Sequence, residues 1–262
     1  MAIARPFLGL TAIVLLAGGI VLQFLVILSG LSSTPLNQIY FLQADTGDIT
    51  NANTQLRNPA RWTYLNICGV TDGRNTDCTS TRPALPFDPV RNFGTETGVP
   101  EAFVNNRDYY FYISRFSWVF FLIALFFAVI TFLLSVFSLF SRLGAYLSGF
   151  TVFLAVGMQA IAAALMTAWV IKGRNHFRTA GMEAHVGVKA MAFSWTSFAV
   201  FFLASVFFCI GGSVGKNKDS TKKSYFGRKG SKRSTRERGS FIDSSSDRRV
   251  KDEYVTRYPD SP

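Results

Sequence analysis

Four long apolar runs, each without Asp, Glu, Lys or Arg, dominate the pattern of hydrophobic and polar positions along the chain. They cover residues 7–31, 116–140, 143–171 and 190–214. An α-helix rises about 1.5 Å per residue and a hydrocarbon core is about 30 Å thick, so each run is long enough to cross a bilayer. Continuous apolarity without alternation predicts helices and argues against the strands of a β-barrel. The predicted fold is an all-α membrane protein with a four-helix transmembrane bundle.

The first run has an alternative interpretation as a cleaved signal peptide. Arg5 precedes it, and small residues predominate at 29–33. A signal peptide usually has an apolar core of about 7 to 15 residues and an A-x-A-like cleavage site. Because this run is longer and lacks a clear site of that kind, we favour a membrane helix.

The segments that flank the runs differ in charge. The tail, residues 215–262, carries 14 Lys and Arg against seven acids, whereas residues 32–112 carry six against eight. Basic residues gather on the cytoplasmic side of membrane proteins. We therefore expect the N-terminus 1–6, the turn 141–142 and the tail in the cytoplasm, and the loops 32–115 and 172–189 outside. The second loop holds four basic residues and one Glu, contrary to the rule, and the heavier tail decides the orientation.

The composition is that of a membrane protein, and the position of the basic residues explains the net positive charge. Hydrophobic residues make up 49% of the chain and charged residues 16%, below the roughly 25% charge of soluble domains. The net charge of +11 could suggest a nucleic-acid partner, but ten of the 27 Lys and Arg lie between residues 216 and 238. The charge belongs to the tail, and we expect no nucleic-acid binding.

The long outer loop contains two of the three cysteines, Cys68 and Cys78. Thiols oxidise outside the cell, and a disulfide here would stabilise the loop by on the order of 3 kcal/mol in the chain-entropy model. A metal site would need further ligands, and the loop has no His and no other Cys. Residues 62–69 are typical of a strand and 69–77 of a turn, which predicts a small disulfide-closed domain with a β-hairpin. The prolines at 86 and 89 argue against regular structure there.

The helices contain packing signals rather than transport chemistry. Ala160, Ala164 and Ala168 form a ladder of small residues that lets a neighbouring helix approach closely, and Gly18 and Gly19 are similar. No acid, base or His lies within a run, which argues against a coupled transporter. The alternative that subunits of a homo-oligomer form a passive pore is retained.

The tail between residues 216 and 238 is basic, polar and without apolar periodicity, which predicts disorder. Such a cluster after a span is attracted to anionic inner-leaflet lipids by about 1 kcal/mol per basic residue, or it serves only to fix topology. The predicted headgroup contacts are Lys216, Lys218, Lys222, Lys223, Arg228, Lys229, Lys232 and Arg233. Basic surroundings make Ser231, Ser234 and Ser240 candidate phosphorylation sites. Cys209, near the inner end of the fourth run, is a candidate for palmitoylation or a buried packing residue.

The residues offer no set of nucleophile, acid and base, so we expect no enzymatic activity and no cofactor. His176 and His185 lie in one loop with Glu183 between them, and we interpret them as surface residues. The acids Asp72, Asp77 and Asp88 are expected to be solvated.

Several motifs together resemble a known family. Trp62 followed by the two cysteines in the first outer loop is similar to the claudin-like arrangement. The remaining motifs are Gly69, the run Pro86, Phe87, Asp88 and Pro89, the segment 92–94, the aromatics at 109–118, and residues 167–177 before Gly181. In combination, across residues 7–212, they resemble the fungal SUR-seven/PalI family. Claudins usually have Gly-Leu before the Trp, whereas this chain has Ala60 and Arg61, which does not favour claudin-type polymerisation.

The resemblance implies a non-enzymatic plasma-membrane tetraspan that organises eisosome-associated membrane domains. It further implies roles in the cell cortex, cell wall organisation and endocytosis, with eisosome scaffold proteins as partners. The alternatives are a PalI-like component of ambient-pH signalling and, second, a passive channel subunit. The tail is shorter than is typical of PalI-type members, which favours the eisosome branch.

Overall fold

The computed structural model describes residues 4–49, 57–138 and 141–213. Its elements in chain order are α1 (Ala4–Ile27), a 3₁₀ turn (Leu36–Gln38), β1 (Leu42–Ala44), β2 (Ala60–Trp62), β3 (Ile67–Thr71), β4 (Arg74–Thr76), α2 (Pro89–Phe93), α3 (Glu101–Asn105), α4 (Arg107–Ser138), α5 (Arg142–Thr179), β5 (Ala184–Val186) and α6 (Val188–Ser213). Four helices, α1, α4, α5 and α6, are long and apolar enough to cross a membrane. The prediction of a four-helix membrane protein with a small disulfide-closed domain is confirmed.

Two helices are longer than the apolar runs that predicted them. α4 begins at Arg107 rather than 116, and α5 ends at Thr179 rather than 171. The 38 residues of α5 measure about 57 Å, well beyond a hydrocarbon core of about 30 Å. Both extensions lie at the same end of the bundle, which we call the sheet end because the β-strands cover it. Residues 172–179, expected as loop, are helical because their apolar face packs against the sheet.

The helices of the bundle are held together by small residues and buried amides. Gly19 lets α1 approach α6, where the Ser197 hydroxyl donates a hydrogen bond to the Gly19 carbonyl over 3.2 Å. The side-chain amide of Gln23 donates to the carbonyl of Phe121 over 2.6 Å and so joins α1 to α4. Gln159 joins α5 to α6 in the same way, through the Ser194 carbonyl at 3.1 Å. Such polar links are a regular means of joining helices in a membrane.

The predicted alanine ladder does not form the internal packing face of α5. Ala160 and Ala168 are half-buried and Ala164 is exposed. The fully buried small residues of this helix are instead Ala155, Ala162 and Ala163. The four-residue spacing places the ladder on one face, but it does not indicate whether that face points toward the chain's own helices. The structure places the ladder at partly exposed positions, and its close contact with a neighbouring helix stays a prediction.

The five strands form one antiparallel sheet in the order β4-β3-β2-β1-β5. A disulfide-closed hairpin exists, formed by β3 and β4 with a turn at residues 72–73, but its predicted bounds were wrong. Residues 63–66 of the predicted strand form the turn between β2 and β3, and residues 74–76 of the predicted turn are strand β4. Strand β1 pairs Leu42 with Trp62 of β2 on one side and with Val186 of β5 on the other. The sheet therefore joins the segments 32–115 and 172–189.

The two neighbouring glycines of α1 give a matched test of the helix packing. A Cβ added at Gly19 would lie 2.5 Å from the Phe201 ring and 2.8 Å from Val200, whereas one at Gly18 would have nothing within 4 Å. We expect Gly19→Ala to destabilise the bundle by about 1–3 kcal/mol through overpacking. Gly18→Ala should be neutral or slightly stabilising, because alanine is the better helix former.

The measurement is the midpoint of thermal unfolding of the full chain in detergent micelles. Equal midpoints for the two variants would contradict a close contact between α1 and α6.

Candidate functional site at the sheet end

The turn between β2 and β3 is inserted between the end of α1 and α4. The side chain of Tyr64 is buried, and its hydroxyl is hydrogen-bonded to the Ser117 hydroxyl on α4 over 2.5 Å. Ser117 donates to the carbonyl of Ala162 on α5 over 3.4 Å, which leaves Tyr64 as the donor to Ser117. Burial raises the pKa of Tyr64 well above its usual range, so the phenol stays neutral and keeps the proton that it donates. The turn is thus bonded to α4 directly and to α5 through Ser117.

The backbone of this turn is satisfied by side chains within it and by the end of α1. The Thr63 hydroxyl donates to the Asn66 carbonyl over 2.7 Å and accepts from the Asn66 N–H over 3.0 Å. The amide of Asn66 donates to the carbonyl of Gly30 over 2.9 Å. Gly30 has a φ of +99°, and a Cβ there would collide with the side chains of Thr63 and Asn66. Only glycine lets the chain leaving α1 pass so close to the turn.

Trp62, which begins the claudin-like motif, lies at the centre of an aromatic contact between the sheet, α2 and α5. Its ring is 1% exposed and lies 5.3 Å from Phe87, 5.9 Å from Phe93 and 5.7 Å from Phe177, between ring centroids. The indole N–H donates to the side-chain oxygen of Asn92 over 3.1 Å. The buried donor is therefore paired, as a buried tryptophan requires.

The residues after Pro86 build the partner surface for this tryptophan. The Asp88 carboxylate accepts from the Arg91 backbone N–H over 3.1 Å and so caps α2, and Pro89 occupies its first turn. Gly94, with a φ of +68°, ends the helix in the left-handed conformation. The expectation of irregular structure here is corrected, because a proline at the first helical position favours a helix start.

Asp88 is not solvated, contrary to expectation. It is 2% exposed, and its carboxylate oxygens lie 3.6 Å from the Arg91 Nε and 3.9 Å from the Arg107 Nε. The cap and the two guanidinium groups compensate the buried charge. Asp72 and Asp77 are exposed, as expected.

One aromatic cluster unites these parts with the helices. Phe87 stacks on Trp169 of α5 at 5.1 Å and contacts Phe103 and Tyr110, each at 5.6 Å. Trp169 is 2% exposed, although it lies at the end of the apolar run 143–171. The cluster contains Phe41, Trp62, Tyr64, Phe87, Phe93, Phe103, Tyr110, Phe121, Trp169 and Phe177. The sheet, α2, α3 and the extended helix ends share one core.

Arg61, which stands where claudins have an apolar residue, organises the opposite face of the sheet. Its guanidinium donates to the Gln43 side chain over 2.8 Å, to the Gly73 carbonyl over 2.9 Å and to Asn75 over 3.2 Å. It also lies 4.1 Å above the Tyr40 ring. Burial lowers the pKa of Arg61 from its ordinary value, and the paired donors hold the cation in place.

The disulfide between Cys68 and Cys78 closes the β3–β4 hairpin, as predicted. Gly69, next to it, is buried with the Thr76 carbonyl 3.5 Å from the place of a Cβ. An ion pair of 3.6 Å joins Arg57 to Asp77, beside the second cysteine. The hairpin is thus tied at its open end.

The other predicted site residues are not part of this core. The tail residues Lys216, Lys218, Lys222, Lys223, Arg228, Lys229, Lys232, Arg233, Ser231, Ser234 and Ser240 lie outside the described residues. Cys209 is exposed on α6, which overturns the interpretation as a buried packing residue, and its palmitoylation stays a prediction.

The two histidines belong to regular elements rather than to a flexible loop. His176 lies on α5 against Phe103, with 5.8 Å between ring centroids, and His185 lies on β5. Within the ranges that the structure describes, no three His, Cys, Asp or Glu side chains are grouped as metal ligands would be. The site consists of packing and hydrogen bonds around an inserted turn.

A comparison of alanine substitutions at Gly30 and Gly181, which both have positive φ, distinguishes the effect of the contact at Gly30 from the effect of backbone strain. Gly181 has a φ of +84°, and a Cβ there would have nothing within 4 Å. Gly181→Ala should cost about 1 kcal/mol, the usual strain of a left-handed alanine. Gly30→Ala adds a collision with the inserted turn, so we expect a clearly lower unfolding midpoint and less folded protein. The same midpoint for both variants would contradict the close fit of α1 to the turn.

Comparison with known proteins shows which proteins this chain is similar to. The model of the SUR7/PalI family matches residues 8–207. The SUR7 family protein FMP45 of Saccharomyces cerevisiae is 38% identical over 198 residues, which are 74% of this chain and 63% of that protein. Protein SUR7 of Candida albicans is 36% identical over 191 residues, 70% of this chain and 66% of that protein. The uncharacterized plasma membrane protein YNL194C of Saccharomyces cerevisiae is 32% identical over 197 residues, 74% and 64% of the two chains.

The matched region thus spans slightly less than two thirds of the length of each of these relatives. It includes the inserted turn, the disulfide, the capped helix α2 and the greater part of all four long helices. The family model, which covers most of the chain, confirms the resemblance inferred from the motifs: the chain belongs to the SUR7/PalI family of membrane proteins.

Proposed function

We propose that this chain is a non-enzymatic plasma-membrane protein that organises eisosome-associated domains, with roles in the cell cortex, cell wall organisation and endocytosis. The observation that carries the proposal is the insertion of the Tyr64 turn between the end of α1 and α4, from which Ser117 continues the hydrogen bonds to α5. It makes the sheet end and the helices one packed body, as a membrane anchor with a fixed outer platform requires. Family membership supports the proposal, and one relative is named a plasma membrane protein.

We place the sheet end outside the cell and both termini in the cytoplasm. A disulfide persists in an oxidising compartment, which supports an extracellular position for Cys68 and Cys78. The excess of basic residues in the tail supports a cytoplasmic C-terminus. An even number of spans then brings the N-terminus to the same side.

The basic tail would contact the anionic inner leaflet and the eisosome scaffold. Phosphorylation at Ser231, Ser234 or Ser240 would add about 1.5 to 2 negative charges each and weaken the lipid contact. The alanine ladder on the outer face of α5 would serve contact between copies, because small side chains permit close helix approach.

The second candidate function is a PalI-like component of ambient-pH signalling. The family model that matches the chain includes both branches, SUR7 and PalI. In that case the outer platform would hold a partner receptor at the surface. A receptor that disappears from the surface when this chain is deleted would favour this candidate.

Two-colour imaging with the eisosome scaffold tests the leading proposal. We expect stable patches of the full chain that coincide with the scaffold. A variant with the eight predicted headgroup contacts changed to Gln should lose or weaken the patches, because it no longer attracts anionic lipid. A control tail with the same residues in shuffled order should keep them.

Patches that do not coincide with the scaffold, or an endosomal signal, would contradict the proposal. Loss of patches with the shuffled tail as well would assign targeting to a specific sequence rather than to charge.

Tag accessibility tests the orientation independently. Residues 80 and 81 are exposed and lie outside every strand and helix, so an epitope inserted between them should leave the sheet intact. We expect antibody to bind this epitope on intact spheroplasts and to bind an epitope after Pro262 only once the cells are permeabilised. The reverse pattern would overturn the assignment of both sides.

A further inference from the structure

A basic cleft opens at the sheet end, between α2, the start of α4 and the chain that follows the disulfide. Its volume is about 420 Å³. Three arginines reach it from three separate segments: Arg82, Arg91 of α2 and Arg115 of α4. The twelve described residues that line the cleft include no Asp or Glu. This is notable because residues 32–112 as a whole carry more acids than bases.

Two of the guanidinium groups contact one ring. The Arg91 and Arg115 guanidinium carbons lie 4.5 Å and 5.1 Å from the centroid of Phe111. Cation–π contacts of this kind orient the groups but do not neutralise them. The like charges at one cleft repel each other, and an anion bound in the cleft would relieve the repulsion.

The carboxylates of the protein do not supply enough negative charge. Asp88 is the acid nearest to the cleft, and it is shared between Arg91 at 3.6 Å, Arg107 at 3.9 Å and the cap of α2. In the part of the chain that the structure describes, no carboxylate lies within ion-pair distance of Arg82 or Arg115. The cleft therefore has a positive charge that is open to a ligand.

The position of Arg115 places the cleft at the height of lipid headgroups. It is the last charged residue of α4 before the uncharged stretch 116–137. The next residue, Phe116, is 55% exposed, as is Tyr112 about one turn before Arg115, which is consistent with a boundary between headgroups and hydrocarbon. A headgroup of the leaflet at the sheet end could enter the cleft from the side.

We propose that this cleft binds a phosphate group. Guanidinium groups bind phosphate through paired, charge-assisted hydrogen bonds, and three of them around one opening suit a tetrahedral anion better than a single carboxylate. Two sources carry this chemistry, a phospholipid headgroup and free phosphate. The walls, which include Ile67, Leu85 and Pro86, would also fit the apolar part of a lipid next to its phosphate.

The experiment measures binding to the full chain in detergent micelles. The probes are dioctanoyl phosphatidylinositol, dioctanoylglycerol as the lipid without phosphate, and inorganic phosphate against chloride at equal ionic strength. The cleft variant is Arg82→Gln/Arg115→Gln. The matched control is Arg74→Gln/Lys172→Gln, which removes the same charge from exposed positions outside the cleft.

We expect saturable binding of the phospholipid and none of dioctanoylglycerol. The dissociation constant should rise about tenfold or more in the cleft variant and less than about twofold in the control. If the cleft variant is not folded, Arg82→Lys/Arg115→Lys keeps the charge but loses the paired geometry, and an intermediate loss of about threefold is expected.

Binding of the phospholipid but not of phosphate assigns the site to a lipid headgroup, and binding of both with similar affinity assigns it to the phosphate alone. Either result supports the proposal. Absence of saturable binding to the unmodified chain, or equal weakening in the cleft and control variants, would overturn it.

Discussion

The insertion of the β2–β3 turn between the end of α1 and α4 is the contact on which the sheet end depends. A polar turn buried against helix ends must satisfy its own backbone, because an unpaired buried group costs about 1–3 kcal/mol. Thr63 and Asn66 do so within the turn, and Tyr64 finds Ser117 on the helix. Gly30 completes the arrangement, since a side chain there would occupy the space of the turn.

The sheet end is joined to the bundle through both of the segments that contribute strands to it. β1 pairs with β2 from its own loop and with β5 from the other loop. The aromatic cluster around Phe87 then spans the sheet, α2 and the helix extensions. A partner that binds the sheet end therefore contacts a body that is continuous with the membrane helices, and a displacement of the sheet would require opening this cluster.

The sequence predicts those features that depend on local composition. The four spans follow from long uncharged runs, and the bond between Cys68 and Cys78 follows from two thiols in one outer loop. The sheet was predicted only as a hairpin, because strands of three residues are too short for a periodic pattern and Val186 pairs across a long stretch of chain. The burial of Asp88 was missed for the same reason, since one of its partners, Arg107, comes from a distant element.

The second loop shows how a charge can serve the folded structure rather than topology. Its four bases conflict with the positive-inside rule, which counts charges without regard to their contacts. Each is used locally: Lys172 lies 4.6 Å above the Tyr109 ring and Arg174 bonds to its neighbouring Asn. Arg178 donates to a carbonyl of β5 over 2.9 Å, and Lys189 donates to a side chain near β1 over 2.5 Å. These four bases therefore have structural contacts at the sheet end, which the positive-inside rule does not take into account.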